Sequence, residues 1–193
     1  MDDSSIASIP ERAAGVLLGT AAGDKNGGPQ RLAFMLCDSV ISLEGLDVNR
    51  LWQNWYSPWY KLRGFDTGTS FAKVQHYATK INQDAHVAKF DPASCAEDMY
   101  KKALKEHSEV PAGIGSAHRN AVLSVFPLFP DSLLPPEDHD TTTNAKPSTV
   151  ITLREAATEE CKLTHYAPIC TEVCVSICHL CRYLIQGHSW KKQ

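Results

Sequence analysis

The segment between residues 8 and 45 constrains the fold most, because it has the pattern of two helices joined by a tight glycine turn. Ser8 and Glu11 have the spacing of a capping box, and Pro10 lies in the first turn, where the N–H that proline lacks is not needed. The helix that follows is rich in small residues: Ala13, Ala14, Gly15, Gly19, Ala21, Ala22 and Gly23. Each glycine lowers helix stability by roughly 0.8–1.0 kcal/mol relative to alanine. We therefore expect other backbones to approach this helix closely, and we expect the helix to be among the most buried.

Asp24 follows this helix at the end where the helix dipole is negative, so its carboxylate needs a donor or a cation nearby. The residues Asn26-Gly27-Gly28-Pro29 then predict a sharp turn, with the next helix starting near Gln30. Two interpretations of Asp24 follow from this spacing. It is either part of a glycine-type helix end or a carboxylate that takes part in chemistry.

The composition fits one soluble globular domain, since the chain has 193 residues and 43% of them are apolar. A net charge of −3 without a basic run argues against a general nucleic-acid surface. The first residues lack the positive charge of a secretory signal. The most apolar segment, 169–185, carries Glu172, His179 and Arg182, which favours a buried helix over a membrane span. Seven cysteines without a disulfide-framework spacing indicate reduced thiols, in the cytoplasm or the nucleus.

Apolar residues recur at helical spacing through most of the chain, which predicts an all-α fold of about seven helices. Thr152 and Glu155 predict a second capping box. A Pro-, Asp- and Thr-rich stretch at 130–149 has no periodicity and is expected to be a loop insertion. We assign residues 1–188 to a single helical domain and residues 189–193 to a polar tail.

Two clusters could bind ligands but have spacings that favour structural roles. Trp52, Trp55 and Trp59 could form a stacking platform, yet their helical spacing is typical of core packing. Cysteines also share one helix face, at Cys170, Cys174, Cys178 and Cys181. Because an α-helix rises about 1.5 Å per residue, the outer two lie about 16 Å apart, whereas a zinc–thiolate bond is about 2.3 Å long. One helix cannot direct all of them at one ion, so we expect small buried hydrophobes and assign no metal ligand.

The segment from Gly113 to Arg119 is a candidate for anion binding. Gly113 and Gly115 allow close backbone approach, and Ser116 can cap the helix that follows. Free N–H groups at a helix N-terminus attract anions such as a diphosphate, and His118 and Arg119 add donors in the same turn. The same pattern would also serve as a plain helix start.

Four stretches, in order along the chain, resemble motifs of the ADP-ribosylglycohydrolase family: residues 14–28, 64–68, 113–119 and 163–165. The resemblance implies a compact, orthogonal all-α domain that hydrolyses the N- or O-glycosidic bond of ADP-ribose adducts with a pair of magnesium ions. It implies a catalytic role for Asp24. It places substrate-binding residues around ADP-ribose at Asp66, Gly113, Gly115, Ser116, His118, Arg119 and His165. Asp66 and His165 could alternatively serve only as helix-start residues.

The chain departs from the family pattern where magnesium would bind. Family members carry a Thr-Asp-Asp motif at the start of the second helix, and the corresponding place here reads Gly28-Pro29-Gln30-Arg31. The second acidic cluster of the family belongs to a C-terminal segment, which we expect to be truncated in this chain. The stretch 138–141 imitates that cluster, but it precedes the Leu-Thr-His motif and is expected to lie in a solvated loop. We therefore expect no tight two-magnesium site.

Three functions are compatible with these observations. The first is a family hydrolase whose magnesium-binding motifs are degraded or missing, which would make it an impaired enzyme or a pseudoenzyme. The second is a non-catalytic module that binds ADP-ribose or an ADP-ribosylated protein. The third is a helical interaction protein, whose open, truncated face a protein partner would cover.

Overall fold

The computed structural model describes residues 7–24, 27–55, 70–76, 91–107, 112–131 and 151–189. Within these ranges there is no strand, and the helices are α1 (Ile9–Gly23), α2 (Gly28–Leu43), α3 (Val48–Trp55), α4 (Pro92–His107), α5 (Ala117–Asn120), the 3-10 helix η1 (Ala121–Val125), α6 (Leu153–Lys162) and α7 (Pro168–Ile185). Residues 70–76 are also helical. The all-α prediction is confirmed for the described residues. Asp66, residues 132–149 of the expected loop and the tail beyond residue 189 lie outside them.

Both predicted capping boxes are present, at the starts of α1 and α6. The Ser8 N–H donates to Glu11 Oε2 at 2.6 Å. The Thr152 N–H donates to Glu155 Oε2 at 2.7 Å, and Thr152 Oγ1 accepts from the Glu155 N–H at 3.2 Å. These bonds satisfy N–H groups for which the helix itself has no acceptor. The two helix starts are therefore determined by residues within a single turn.

The core lies between α2, α3, α6 and η1, and its buried apolar side chains include Leu32, Leu36, Val40, Leu51, Leu123 and Leu153. Trp52 and Trp55 belong to it, with ring centroids 6.5 Å apart in an edge-to-face arrangement. Phe71 lies 5.7 Å from the Trp55 ring. Trp55 also donates from Nε1 to the carbonyl of Leu32 at 3.3 Å. The expected core role is confirmed for Trp52 and Trp55, and Trp59 lies outside the described residues.

The surface position of α1 shows that the prediction of a deeply buried helix was wrong. None of its residues is buried, and Leu18 is 69% exposed. Among the described residues, a Cβ built at Gly15 or Gly19 would meet no neighbouring atom within 4 Å. Small side chains offer little apolar area to bury. No other described backbone therefore packs closely against these glycines. Arg12 anchors α1 instead, since its Nε donates to the carbonyl of Ile185 at 2.7 Å.

The pair of helices α6 and α7 forms the frame for the candidate site. They pack along each other, and the segment with α5 and η1 lies against both of them and against α2. The face of α7 toward this segment carries Cys170, Cys174 and Cys178, which are buried as expected from their spacing, whereas Cys181, expected with them, is only partly buried. Two of these thiols donate to backbone carbonyls across the interface, Cys170 Sγ to that of Gly113 at 3.2 Å and Cys178 Sγ to that of Asn120 at 3.3 Å. By length and composition alone, α7 could cross a membrane, with 18 residues and a mean hydropathy of 1.3.

Candidate ligand site at the glycine turn

The site begins with a turn of the chain from Gly113 to Ser116, which leads into α5. The Ala117 N–H donates to the carbonyl of Ile114 at 3.0 Å and closes the turn. Ser116 has helical backbone angles and makes no side-chain cap, so the predicted capping role of its hydroxyl was wrong. The hydroxyl is buried instead, with Oγ 3.2 Å from Cys161 Sγ. The turn is thus tied to α6 from the inside.

A cleft of about 250 Å³ lies beside this turn, at the start of α7. Its lining is mostly apolar and consists of Ala112, Gly113, Ile114, Ser116, Ala117, Ile169, Cys170 and Val173. Ile114 and Ile169 are its exposed large side chains. Most of the cleft volume is open to solvent, and the cleft encloses only about 50 Å³, whereas pockets for small molecules commonly measure about 300–1,000 Å³. The cleft can therefore hold a small group of a ligand but not a whole nucleotide.

His165 lies directly against the glycines of the turn. A Cβ built at Gly113 or at Gly115 would be only 3.2 Å from His165 Nε2, so the ring can lie this close because both positions lack a side chain. The residue is 5% exposed. Burial, followed by the positive charge of Arg119, lowers the pKa of His165 to about 3. The imidazole is therefore neutral at physiological pH.

The side chain of Arg119 is buried, at 1% exposure. Its Nε donates to Glu160 Oε1 at 2.5 Å, and its Nη2 donates to Thr164 Oγ1 at 2.7 Å. The guanidinium carbon lies 4.7 Å from the centroid of the Trp55 ring. Removing one partner of a buried ion pair leaves an uncompensated charge, which is costly. The guanidinium is therefore held inside the protein, and the diphosphate contact predicted for Arg119 would require this network to open.

Glu160, the acid that pairs with Arg119, was missed by the sequence analysis. It is 0% exposed, and its Oε2 accepts from Asn120 Nδ2. The same Asn120 nitrogen donates to the carbonyl of Ala157 at 3.2 Å. The helical register could have revealed it, because the buried face of α6 consists of Leu153, Ala156, Ala157, Glu160 and Cys161. An acid at a core position of such a face predicts a buried cation or donor.

Two cysteine thiols meet the Ser116 hydroxyl beneath the turn. Cys161 Sγ lies 3.2 Å from Ser116 Oγ, and Cys174 Sγ donates to the same oxygen at 3.3 Å. The neighbouring Cys174 thiol is the main reason that the pKa of Cys161 lies below its usual value, and Cys161 in turn is the main reason that the pKa of Cys174 lies above its own. Burial raises the pKa of Cys170, in the cleft lining, to about 11. Cys170 therefore faces the cleft as a neutral thiol at physiological pH.

A comparison of the chain with protein-family models, curated proteins and solved structures found no match. The resemblance to ADP-ribosylglycohydrolases accordingly rests on the four motif stretches. The fold shows the all-α character that the resemblance implies, which many unrelated proteins share. The geometry of the site, rather than the fold, therefore indicates the function.

Asp24 lies between α1 and α2 and is not part of the cleft lining. Its Oδ1 accepts from the Gly27 N–H at 3.0 Å, and its Oδ2 accepts from the Gln30 N–H at 2.6 Å. Gly27 has a φ of 73°, in the left-handed region that favours glycine. The carboxylate thus caps the positive N-terminal end of α2. The expected glycine-type end of α1 is not observed, because the C-cap residue of α1 is Asp24, with φ −97° and ψ 86°, rather than a left-handed glycine. The catalytic role of Asp24 stays a prediction.

The structure brings together part of the predicted site. Gly113, Gly115 and His165 are in contact, and Ser116 lines the cleft with Gly113. Arg119 reaches His165 only from the interior, through Thr164. The side chain of His118 is exposed. Asp66 lies outside the described residues.

Proposed function

We propose that this chain is an ADP-ribosylglycohydrolase-like protein that binds ADP-ribose, free or attached to a modified protein, at the cleft beside Gly113 and Ser116. One observation carries the proposal: two motif stretches from distant parts of the chain meet there. His165 Nε2 lies 3.2 Å from the Cβ positions of Gly113 and Gly115. The resemblance expects both stretches at the ADP-ribose site, so their contact supports a common ligand site.

The cleft has chemistry that suits part of ADP-ribose. Ile114 and Ile169 supply apolar surface on which a nucleobase or a ribose face can pack. His118 is exposed near the turn and can donate to a phosphate oxygen. Most of the ligand would extend over the surface, because the cleft encloses only about 50 Å³.

The residues around Asp24 do not fit a pair of magnesium ions, so the proposed function includes impaired hydrolysis. Both carboxylate oxygens already accept N–H groups, at 3.0 and 2.6 Å. The first turn of α2 carries Pro29, Gln30 and Arg31 where the family has acids. A two-metal site needs several carboxylates to hold both ions and to position the attacking water. The described residues contain no group of three or more His, Cys, Asp or Glu side chains that could hold a metal ion.

Titration of the full chain with ADP-ribose, followed by amide NMR, tests the binding. We expect shifts confined to residues 113–119 and 163–168. Two glycine variants form a matched pair. Gly115→Ala places a Cβ 3.2 Å from the His165 ring and should weaken binding roughly tenfold, or about 1.4 kcal/mol. Gly19→Ala meets no neighbouring atom within 4 Å and should bind like the parent. No shift in these segments at millimolar ADP-ribose contradicts the proposal.

Release of ADP-ribose from an ADP-ribosylated peptide, measured with and without magnesium, tests whether hydrolysis is impaired. We expect no magnesium-dependent release. Magnesium-dependent release that is abolished in Asp24→Ala would show that hydrolysis is intact, while the binding site would keep its support from the NMR titration.

A helical interaction protein is the second candidate function, and the exposure of α1 and α2 favours it. Large apolar side chains of these helices lie in solvent, at Ile9, Leu18, Phe34, Ile41 and Leu43. Exposed apolar surface is typical of protein interfaces when it forms a contiguous patch. If a second copy of the chain covers α1, sedimentation should show a dimer for the parent and a monomer for Leu18→Lys. A monomer in both cases contradicts self-association.

A further inference from the structure

We propose that Arg119 and Thr164 are positioning residues that fix His165 as the tautomer with its proton on Nε2. The turn at Gly113 and Gly115 then presents an uncharged hydrogen-bond donor to an oxygen atom of the ligand. The ligand contact rests on the proposed function, whereas the tautomer is a property of the protein alone.

The protons around the Thr164 hydroxyl determine the tautomer. Arg119 Nη2 lies 2.7 Å from Thr164 Oγ1, and a guanidinium nitrogen can only donate. The hydroxyl therefore accepts from Arg119 and keeps its own proton for another acceptor. Within the described part of the chain, the other side-chain atom bonded to this oxygen is His165 Nδ1, also at 2.7 Å. A proton on Nδ1 would leave the buried hydroxyl proton without an acceptor, which is unfavourable. Nδ1 therefore accepts, and the neutral ring carries its proton on Nε2.

Arg119 can determine the direction of the hydrogen bond between Thr164 and His165 because its own position is fixed. Its Nε donates to Glu160 Oε1 at 2.5 Å, and its guanidinium carbon lies 4.7 Å from the Trp55 ring centroid. Glu160 is held in turn by Asn120 Nδ2. Since arginine stays protonated in proteins, it cannot accept a proton from Thr164 at any accessible pH. The direction of the bond between Thr164 and His165 is therefore set by a group that does not titrate.

The remaining ring nitrogen, His165 Nε2, has no hydrogen-bond acceptor among the described residues, and it lies against the turn, since a Cβ at Gly113 or Gly115 would be 3.2 Å away. The residue is 5% exposed and is not part of the cleft lining, so a ligand oxygen would have to approach Nε2 beside the two glycines. Ser70 Oγ lies 3.6 Å from the same Cβ position of Gly113, so a second polar group is nearby. An uncharged N–H donor suits a carbonyl, hydroxyl or phosphate oxygen, and ADP-ribose has hydroxyl and phosphate oxygens.

Nitrogen-15 NMR of the histidine side chains measures the tautomer directly in the full chain without ligand. The couplings between ring protons and ring nitrogens distinguish a protonated nitrogen from an unprotonated one. For His165 at neutral pH we expect a protonated Nε2 and an unprotonated Nδ1. A proton on Nδ1, or on both nitrogens, would overturn the proposal.

Thr164→Val and Thr164→Ser form a matched pair of variants. Valine keeps the shape of the side chain but removes the hydroxyl, so the ring should become a mixture of tautomers. Serine keeps the hydroxyl and should keep the proton on Nε2. A folded Thr164→Val protein that retains a single Nε2–H tautomer would refute the role of Thr164. If the valine variant does not fold, the spectra of the parent and of Thr164→Ser still decide the tautomer.

Addition of ADP-ribose separates this inference from the proposed function. We expect the Nε2 resonance to shift and the affinity of Thr164→Val to fall roughly threefold to tenfold, with Thr164→Ser close to the parent. Amide shifts at 113–119 without a shift of Nε2 would keep the proposed function and overturn the donor role of His165. No amide shift anywhere would contradict the proposed function, and the tautomer measured without ligand would stand.

Discussion

Arg119 and Glu160 form an ion pair that is sealed from water, with side-chain exposures of 1% and 0%. Glu160→Gln would leave the guanidinium buried without a countercharge, so the free energy of unfolding should fall by about 3–5 kcal/mol. Urea denaturation measures this loss. Glu159→Gln is the matched control, because Glu159 makes only a surface contact with Lys162 at 3.4 Å, and such pairs contribute about 0–1 kcal/mol. Equal losses in the free energy of unfolding of the two variants would show that the buried ion pair contributes no more stability than the surface pair.

The buried imidazole of His165 should make the stability of the protein depend on pH. Burial, with the charge of Arg119, lowers its pKa from 6.5 to about 3, so below pH 6.5 the unfolded chain binds a proton that the folded chain does not. The stability contributed by the neutral ring is complete above this pH and is lost toward pH 3, at about 1.4 kcal/mol per pH unit. His165→Gln should therefore flatten the loss of stability between about pH 6.5 and pH 5. His118→Gln is the control, because that side chain is exposed; the same flattening in both variants would contradict the prediction.

Among the elements, α1 shows that a small-residue pattern does not by itself imply a tight helix contact. Glycine lowers the helix stability of α1 relative to alanine, and close packing among the described residues does not offset this loss, since a Cβ at Gly19 meets no neighbouring atom within 4 Å. Gly19→Ala should therefore stabilise the protein by about 0.5–1 kcal/mol in thermal unfolding. Gly27→Ala should do the opposite, because Gly27 has a φ of 73°. A destabilised Gly19→Ala protein would restore the close contact expected from the sequence.

The helix starts could be predicted from the sequence, while the partners of the helices could not. The capping boxes at Ser8 and Thr152 depend on residues within one turn, and both are present. The periodicity of α7 also predicted the buried cysteine face. The ion pair between Arg119 and Glu160 joins residues that are 41 positions apart. A local sequence pattern cannot predict a pairing over this separation. The one local sign of it is the position of Glu160 on the apolar face of α6, which indicates that this acid is buried and needs a partner.

For the whole molecule, two of the four motif stretches meet as the resemblance implied, but the resemblance did not predict which side chains would face a ligand. The stretches 113–119 and 163–165 are in contact through His165 and the glycines. Arg119, expected to face the diphosphate, is directed inward, because α5 is only one turn long and lies against α2, α6 and α7. A short helix held by three neighbours has few positions that reach solvent, and in α5 the exposed position is His118.

Calorimetric titration of the whole protein with magnesium tests whether Asp24 can still serve a metal site. A cation at Asp24 would compete with the N–H groups of Gly27 and Gln30, which the carboxylate accepts at the N-terminal end of α2. Arg31 adds a positive charge in the same turn, which would repel the ion. We therefore expect no pair of micromolar magnesium sites in the parent, and an unchanged titration for Asp24→Ala. Two micromolar sites that disappear in Asp24→Ala would contradict this prediction and would return Asp24 to the catalytic role that the resemblance implies.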